Sequence, residues 1–288
     1  HMLGTKEDAD TVEQALRGGS AHTRMEKNGR IWSLAASSVA EEGAGHAAVL
    51  LIVDVTEREQ AEQQRQEFTA NVSHELKTPL TSIMGYAEII EAGIAKPADV
   101  VPFAGKIRTE AQRLLSLIED IIRLSQLDAG GEDIPFEPIE LQPLCCTVRS
   151  RLQSKADRLG LKIECAGENA TVSGQRRTLE QMVFNLADNA LAYNRPNGSV
   201  TIETGTDSDG APFVRVSDTG IGIAPADQKR VFERFYRVDK SHSKMTGGTG
   251  LGLSIVKHGA ALHGAALTLD STLNVGTRIT LTFPKNRK

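Results

Sequence analysis

The chain has 288 residues, a hydrophobic fraction of 40% and a formal net charge of -4. That is enough apolar material for two or three separate cores, and the wrong sign of charge for a dedicated nucleic-acid surface. Its longest purely apolar run, Ala47 to Val53, is far too short to cross a bilayer, and no signal peptide precedes it. Thr23 to Val55 holds β-prone pieces, with a turn at Asn28-Gly29, then Ile31 to Val39 and Ala47 to Val55, which predicts sheet with no visible helical layer. From Glu57 to about Gly93 the spacing predicts one long helix. Ala98 to Leu127 predicts a second, with Phe103, Ile107, Leu114, Ile118, Ile121 and Leu124 on one face and the turn marked by Gly93 and Pro97. Two antiparallel amphipathic helices cannot bury so wide a stripe alone, so pairing with a second copy into a four-helix bundle, hence a homodimer, is expected. Gly130-Gly131 to Pro138 reads as a linker. Helices near Gln142 to Leu159 and Thr178 to Tyr193 then alternate with strands near Lys162 to Cys165, Val200 to Thr204, Phe213 to Ser217, Ala266 to Asp270 and Arg278 to Phe283, which implies an α/β sandwich.

The first long helix carries a histidine in an informative place. Val72, Leu76, Leu80, Ile83, Ala87 and Ile90 form its apolar stripe, and His74 falls off that stripe among Ala70, Lys77, Thr78 and Thr81. An imidazole that is partly neutral near pH 7 is nucleophilic, and the adjacent Glu75 carboxylate could orient it and take its proton. A lone His-Glu pair is more often a solvated surface pair; only the rest of the chain raises it to a phosphoacceptor site. Pro79, five residues on, removes a backbone hydrogen bond and predicts a local bend that could serve as a hinge.

Three segments of the last third point to a nucleotide. Asn185 and Asn189 lie four apart on one helix face, where neutral carboxamide oxygens can hold a hydrated Mg²⁺ that bridges phosphates. Asp218-Thr-Gly220-Ile-Gly222 follows a strand. A carboxylate there can accept from an exocyclic amine while glycines let backbone approach a flat ring; a plain turn is the competing reading. Gly247-Gly248-Thr249-Gly250-Leu251-Gly252-Leu253 opens a helix, and exposed amides at a positive helix end suit phosphate oxygens. No Walker motif, GxGxxG, HRD or DFG occurs, which removes the P-loop, Rossmann and eukaryotic-type kinase readings. Cys145, Cys146 and Cys165 lack CxxC or zinc-ligand spacing, and the odd count fits reduced thiols that serve as packing residues.

In order, these segments resemble the bacterial two-component sensor histidine kinases from about Glu57 to the end. His74-Glu-Leu-Lys-Thr-Pro79 resembles the H box, Asn185 to Tyr193 the N box, Asp218 to Gly222 the first glycine box, Phe232 to Arg237 the F box and Gly248 to Gly252 the second glycine box. Gly276-Thr277 resembles the last glycine element. Asp54 to Arg58, where a strand gives way to a charged helix, resembles the end of a PAS sensor domain. The wording around Phe235 and Gly247 is similar to the phosphate-sensing subgroup. The implied architecture is multidomain α+β. Residues 1–56 would be the C-terminal part of a PAS-like sheet, 57–129 the helices of a dimeric antiparallel four-helix bundle, and 136–288 a GHKL-type α/β sandwich that binds ATP.

The resemblance further implies that His74 attacks the γ-phosphate of ATP with Glu75 as base, and that Thr78 orients water for dephosphorylating a response regulator. Asn189 with Asn185 would hold Mg²⁺, Asp218 would read the adenine amine with Gly220 and Gly222 beside it, and Tyr193 would lie against the ring. Gly248, Thr249, Gly250, Leu251, Gly252 and Leu253 would form the hinge over the phosphates, with Phe232 and Phe235 packing the lid. Ala192 stands where many members have Lys or Arg, so Arg195, Arg234, Arg237 or Lys240 is expected to substitute. Gln175 stands where Asp is frequent. The implied function is autophosphorylation of His74 and transfer to a regulator aspartate. A catalytically silent ATP-binding scaffold and an ATPase of the chaperone or topoisomerase kind are the alternatives. His1-Met2 reads as a cloning remnant ahead of a sequence with no start signal. A cytoplasmic fragment is therefore expected, of a parent anchored in the bacterial inner or plasma membrane through segments missing upstream.

Overall fold

The computed structural model describes residues 10–14, 17, 19–41, 45–128, 134–238 and 248–285. Of the positions singled out above, His1-Met2, Gly130-Gly131, Lys240 and Gly247 lie outside the described residues. Contacts divide the chain into two compact units, His1–His74 and Glu75–Lys288.

The first unit holds three antiparallel strands in sequential order, β1 (Ser20–Lys27), β2 (Arg30–Glu41) and β3 (Gly45–Asp54). Asn28 and Gly29 both take positive φ, 53° and 70°. A two-residue hairpin needs that backbone, because its twist must match the twist of the strands it joins. Leu34 and Ala36 of β2 are buried with Met25 of β1. Helix α1 (Thr56–Glu91) starts here. The Thr56 backbone N–H and hydroxyl both donate to Asp54 Oδ1, at 3.0 and 2.5 Å. These bonds hold the Asp54 carboxyl below the ordinary range. The Thr56 hydroxyl oxygen also accepts from Ile31 N at 2.9 Å, which ties the helix start to the sheet.

The second unit begins with the rest of α1, which runs on through a buried Pro79. Pro79 cannot donate to the carbonyl of Glu75, one turn back, yet the helix does not end there. Gly93 at φ 67° reverses the chain, and Pro97 opens α2 (Pro97–Asp128), where its fixed φ suits the first helical position. An α/β body follows: β4 (Glu137–Glu140), α3 (Leu141–Leu159), β5 (Lys162–Gly167), β6 (Thr171–Gly174), α4 (Arg176–Ala192), β7 (Ser199–Thr206), β8 (Pro212–Asp218), α5 (Gly252–Leu262), β9 (Ala266–Thr272) and β10 (Gly276–Thr282). Five strands form one sheet in the order β5-β7-β8-β10-β9, parallel only between β5 and β7. Ile202, Val216 and Ile279 are cross-strand neighbours in this sheet and belong to one buried cluster with Leu144, Met182, Leu186 and Val256 of the three helices. The helices therefore cover one face of the sheet, as a half-buried sheet requires.

The predicted linker through Pro138 is shorter than expected. Glu137–Glu140 pairs with Thr171–Gly174 as a separate two-stranded ribbon. Pro138 argues against a strand in sequence, but a ribbon strand has a free edge on which a missing N–H does no harm. Gln175, noted for standing in the place of Asp, is buried and serves as a structural tie: its N–H donates to His263 Nε2 at 3.0 Å and its side chain donates to the Ile134 carbonyl. His263 is itself buried and its Nδ1 lies 2.7 Å from the Gly259 carbonyl, so Nδ1 carries the proton. Truncating Leu186, fully surrounded in the helix-sheet core, by Leu186→Ala is expected to destabilise the protein by about 2–5 kcal/mol. Urea unfolding followed by circular dichroism measures the loss; a change below about 1 kcal/mol would contradict the placement of this core.

Candidate functional site

The candidate nucleotide site is built where α4 and the ends of β8 and β10 meet. Asp218 closes β8, and its Oδ1 accepts from Gly220 N at 2.8 Å and Thr277 N at 3.2 Å. Burial pushes the Asp218 carboxyl up from its ordinary range, and the two N–H donors act against that rise. Two glycines make this possible. A Cβ on Gly220 would lie 2.3 Å from the Tyr193 carbonyl oxygen, and one on Gly276, at φ 147°, would lie 2.1 Å from the Asp218 carbonyl oxygen. Tyr193 caps α4, is 39% exposed as a residue and accepts from Ile221 N through its carbonyl. Asp218, Gly220 and Tyr193 are thus brought together as expected, a carboxylate beside an exposed ring. Gly222, at φ 68°, continues the same loop.

Asn185 and Asn189 follow one turn apart on α4, Asn185 buried and Asn189 half-buried. Asn185 is held on both sides: Gln181 Nε2 donates to its Oδ1 at 2.8 Å, and its Nδ2 donates to the Gly252 carbonyl at 3.1 Å. That second bond places the start of α5 against α4. Leu251 is fully buried, and Leu253 packs against the core, so the glycine segment is anchored from its C-terminal side. Gly250, at φ 75°, offers its carbonyl to Phe235 N at 2.9 Å, and Phe235 itself sits at φ 62°. A non-glycine residue in that region costs about 1–3 kcal/mol and marks an over-determined segment. Phe232 packs against the core cluster.

The sequence did not predict how the helical hairpin takes up this segment. Thr249 Oγ1 donates to Asp120 Oδ2 of α2 at 2.7 Å. Arg234 Nη2 reaches both carboxylate oxygens of Asp128, at 2.7 and 2.8 Å, and lies 3.1 Å from His258 Nε2. Glu75, the residue after His74, lies 3.6 Å from Arg113 and 3.8 Å from Arg237, whose guanidinium also donates to the Gly248 carbonyl. Arg123 Nη1 donates to Gln181 Oε1 at 2.7 Å and so reaches Asn185 through one intermediate. Burial raises the Asp120 carboxyl, and burial lowers Arg237. A signal for these contacts was present: Leu117, Asp120, Leu124 and Asp128 share one helix face, and acids on an apolar stripe need a partner. Of the expected substitute cations, Arg234 and Arg237 face carboxylates of the hairpin. Arg195 lies in the turn after α4, where its N–H meets Asn194 Oδ1. His74 and Thr78 are exposed.

The donor set suits a purine nucleotide: an acceptor carboxylate at Asp218, an exposed ring at Tyr193, two carboxamides and a helix N-terminus at Gly252. Among the described residues no group of three His, Cys, Asp or Glu could hold a metal, so a divalent ion would depend on the carboxamides. No helix of the described residues is long and apolar enough to cross a membrane.

Residues 174–287 match the family described as histidine kinase-, DNA gyrase B-, and HSP90-like ATPase, and residues 64–130 match the His Kinase A (phospho-acceptor) domain. The chain is 40% identical over 240 residues to the sensor-like histidine kinase SenX3 of Mycolicibacterium smegmatis, covering 83% of this chain and 62% of that protein. It is 34% identical over 247 residues to the sensor histidine kinase WalK of Bacillus subtilis, covering 85% of this chain and 40% of WalK. The chain therefore spans between about two fifths and three fifths of these relatives' lengths. In fold it is similar to the histidine kinase ThkA, solved in complex with the response regulator protein TrrA, with a TM-score of 0.59 at 19% identity over 97% of this chain and 83% of that one.

Because burial raises the Asp218 carboxyl, the folded chain holds that proton more tightly than the unfolded chain. The stability this contributes is complete in acid and is lost as pH rises through the folded-state value. Asp218→Asn keeps an acceptor oxygen without the buried charge. Nucleotide-free Asp218→Asn is expected to melt higher than the parent at about pH 7–8 and to show no gain below about pH 4. Thermal melts across that range check it, and a lower melting point at neutral pH would contradict the burial argument.

Proposed function

We propose that this chain, which belongs to the two-component sensor histidine kinases, catalyses phosphoryl transfer from ATP to His74 and then to an aspartate of a response regulator. The observation that carries the proposal is the ion pair between Glu75 and Arg237. It joins the residue beside the reactive histidine to the segment that cradles the candidate phosphate site. In the first step a neutral His74 imidazole nitrogen attacks the γ-phosphorus, the bond to the ADP oxygen breaks, and Glu75 takes the imidazole proton. Asp218 accepts from the adenine amine while Tyr193 covers the ring. Gly248 to Gly252 present backbone amides to the phosphates. Asn189 and Asn185 would hold Mg²⁺, which supplies charge neutralisation at the phosphates. Arg237 stands where it can follow the transferred group, taking the place of the cation missing at Ala192.

Several further assignments rest on the same reading. Leu80, Met84, Val101, Leu115 and Ile122 of the helical hairpin are large, apolar and exposed. A second copy of the chain covers them in a homodimeric four-helix bundle. The regulator is the second partner, supported by the fold-level likeness to a kinase solved with one. Thr78, one turn beyond His74 on the same helix, orients water when the regulator is dephosphorylated. The antiparallel strands β1 to β3 ahead of α1 support the reading of residues 1–56 as the end of a PAS-like sensor. A match of 64–130 to a phospho-acceptor domain argues against a chaperone-like or topoisomerase-like ATPase, which has no use for His74.

Incubation with labelled ATP and Mg²⁺ should give an acid-labile, base-stable phosphoprotein that is absent in His74→Ala; persistence of the label in that variant would overturn the assignment. Glu75→Gln is expected to slow autophosphorylation by about 10²-fold with nucleotide affinity retained, since it removes a base and leaves the site intact. Thr78→Ala is expected to keep autophosphorylation within about twofold while regulator dephosphorylation falls by about 10-fold or more, followed as release of phosphate from a phosphorylated regulator.

A further inference from the structure

Cys146 and Cys165 lie 19 positions apart in sequence, on α3 and β5, yet their Sγ atoms stand 2.8 Å apart. Both thiols are half-buried, so small solutes can reach them, whereas the neighbouring Cys145 is fully buried in the core cluster. A disulfide bond is about 2.05 Å long, so closure asks for a movement of under about 1 Å between a helix and a strand already packed together. We propose that Cys146 and Cys165 are an oxidant-responsive pair that closes to an intramolecular disulfide when the chain meets a hydroperoxide. This site is independent of the nucleotide and histidine chemistry above.

The reaction balances with the hydroperoxide as sole oxidant. Cys146 Sγ, as thiolate, attacks the terminal oxygen of ROOH. An S–O bond forms, the O–O bond breaks, and the departing alkoxide takes the thiol proton to become ROH. Cys165 Sγ then attacks the sulfenic sulfur, the S–S bond forms and the S–O bond breaks. The hydroxide released takes the Cys165 proton and leaves as water. Two thiols have lost two electrons, and one ROOH has become ROH and water. The order follows from the surroundings. Burial, together with the hydrogen bond from Cys146, pushes the Cys165 thiol up to about 12, so it stays protonated and acts second. Burial raises the Cys145 thiol as well, which keeps it out of the exchange.

The bridge would join α3 to the edge strand of the sheet. α3 in turn holds α4 through Lys155 and Asp188, 2.5 Å apart. A closed loop of this size restricts the unfolded chain, and an increase of about 5–10 °C in melting temperature is expected. The full chain, reduced and then exposed to hydrogen peroxide, is digested without reductant and mapped by mass spectrometry with fragmentation. The expected result is one cross-linked peptide pair joining Cys146 to Cys165, two hydrogens lighter than the reduced peptides, with the melting point raised and both changes reversed by dithiothreitol. Cys146→Ser and Cys165→Ser should each lose the cross-link and the shift. Because the mapping is done on the unsubstituted chain, a folding defect in either variant leaves the test intact. The proposal is overturned if both thiols remain open to alkylation after oxidant, or if the bridge forms through Cys145 or between two chains.

Discussion

The second unit is organised around a carboxylate that cannot be moved. Asp218 is desolvated at the end of β8, and the two N–H groups that hold it come from Gly220 in the loop that follows and from Thr277 of β10. Those segments must pass so close that a methyl group at Gly220 or Gly276 would strike a backbone oxygen. The sheet register brings them there: Thr277 pairs with Asp218 across β10 and β8, and Val200 pairs with the same residue from β7. Once this crossing is set, the end of α4 is placed too, because the Tyr193 carbonyl accepts from Ile221 in the loop that follows Asp218. The candidate binding face is a consequence of strand pairing, and its charge is a cost that packing in the adjoining core offsets.

Much of this was legible in the residues. Long elements with clear periodicity, such as α2, α3 and α4, fall within a residue or two of their expected bounds, since many side chains vote for one face. The Asn28-Gly29 hairpin and the Gly93 reversal were equally plain, because few residues tolerate positive φ. The ribbon of β4 and β6 was not legible: four residues with a proline carry no periodic signal, and their pairing partner is some thirty positions away. In the candidate site, the residues of each motif could be named, but not what holds them. Gln181 and Arg123 orient Asn185 without belonging to any motif, and their spacing on two separate helices has no meaning until those helices are packed.

The same limit explains the candidate cations. Ala192 left a missing positive charge, and composition near the F box offered candidates without ranking them. Packing supplies the ranking. Arg237 is drawn to Glu75 and to the Gly248 carbonyl, while Arg234 is drawn to Asp128 and His258. Each guanidinium has a carboxylate from the helical hairpin as its counter-charge, and Thr249 has another in Asp120. The candidate phosphate contacts are the groups that tie the α/β body to the hairpin, so an anion there would compete with carboxylates of the protein for the same donors.

His263 shows what a single proton can do in a place with no chemistry. Its Nε2 accepts from Gln175 N and its Nδ1 donates to the Gly259 carbonyl, with almost no surface left to water. A second proton would set two N–H groups face to face at the joint between the start of α4 and the end of α5. Acid would therefore loosen the α/β body from inside. The side chain gives the body its rigidity because solvent does not reach it.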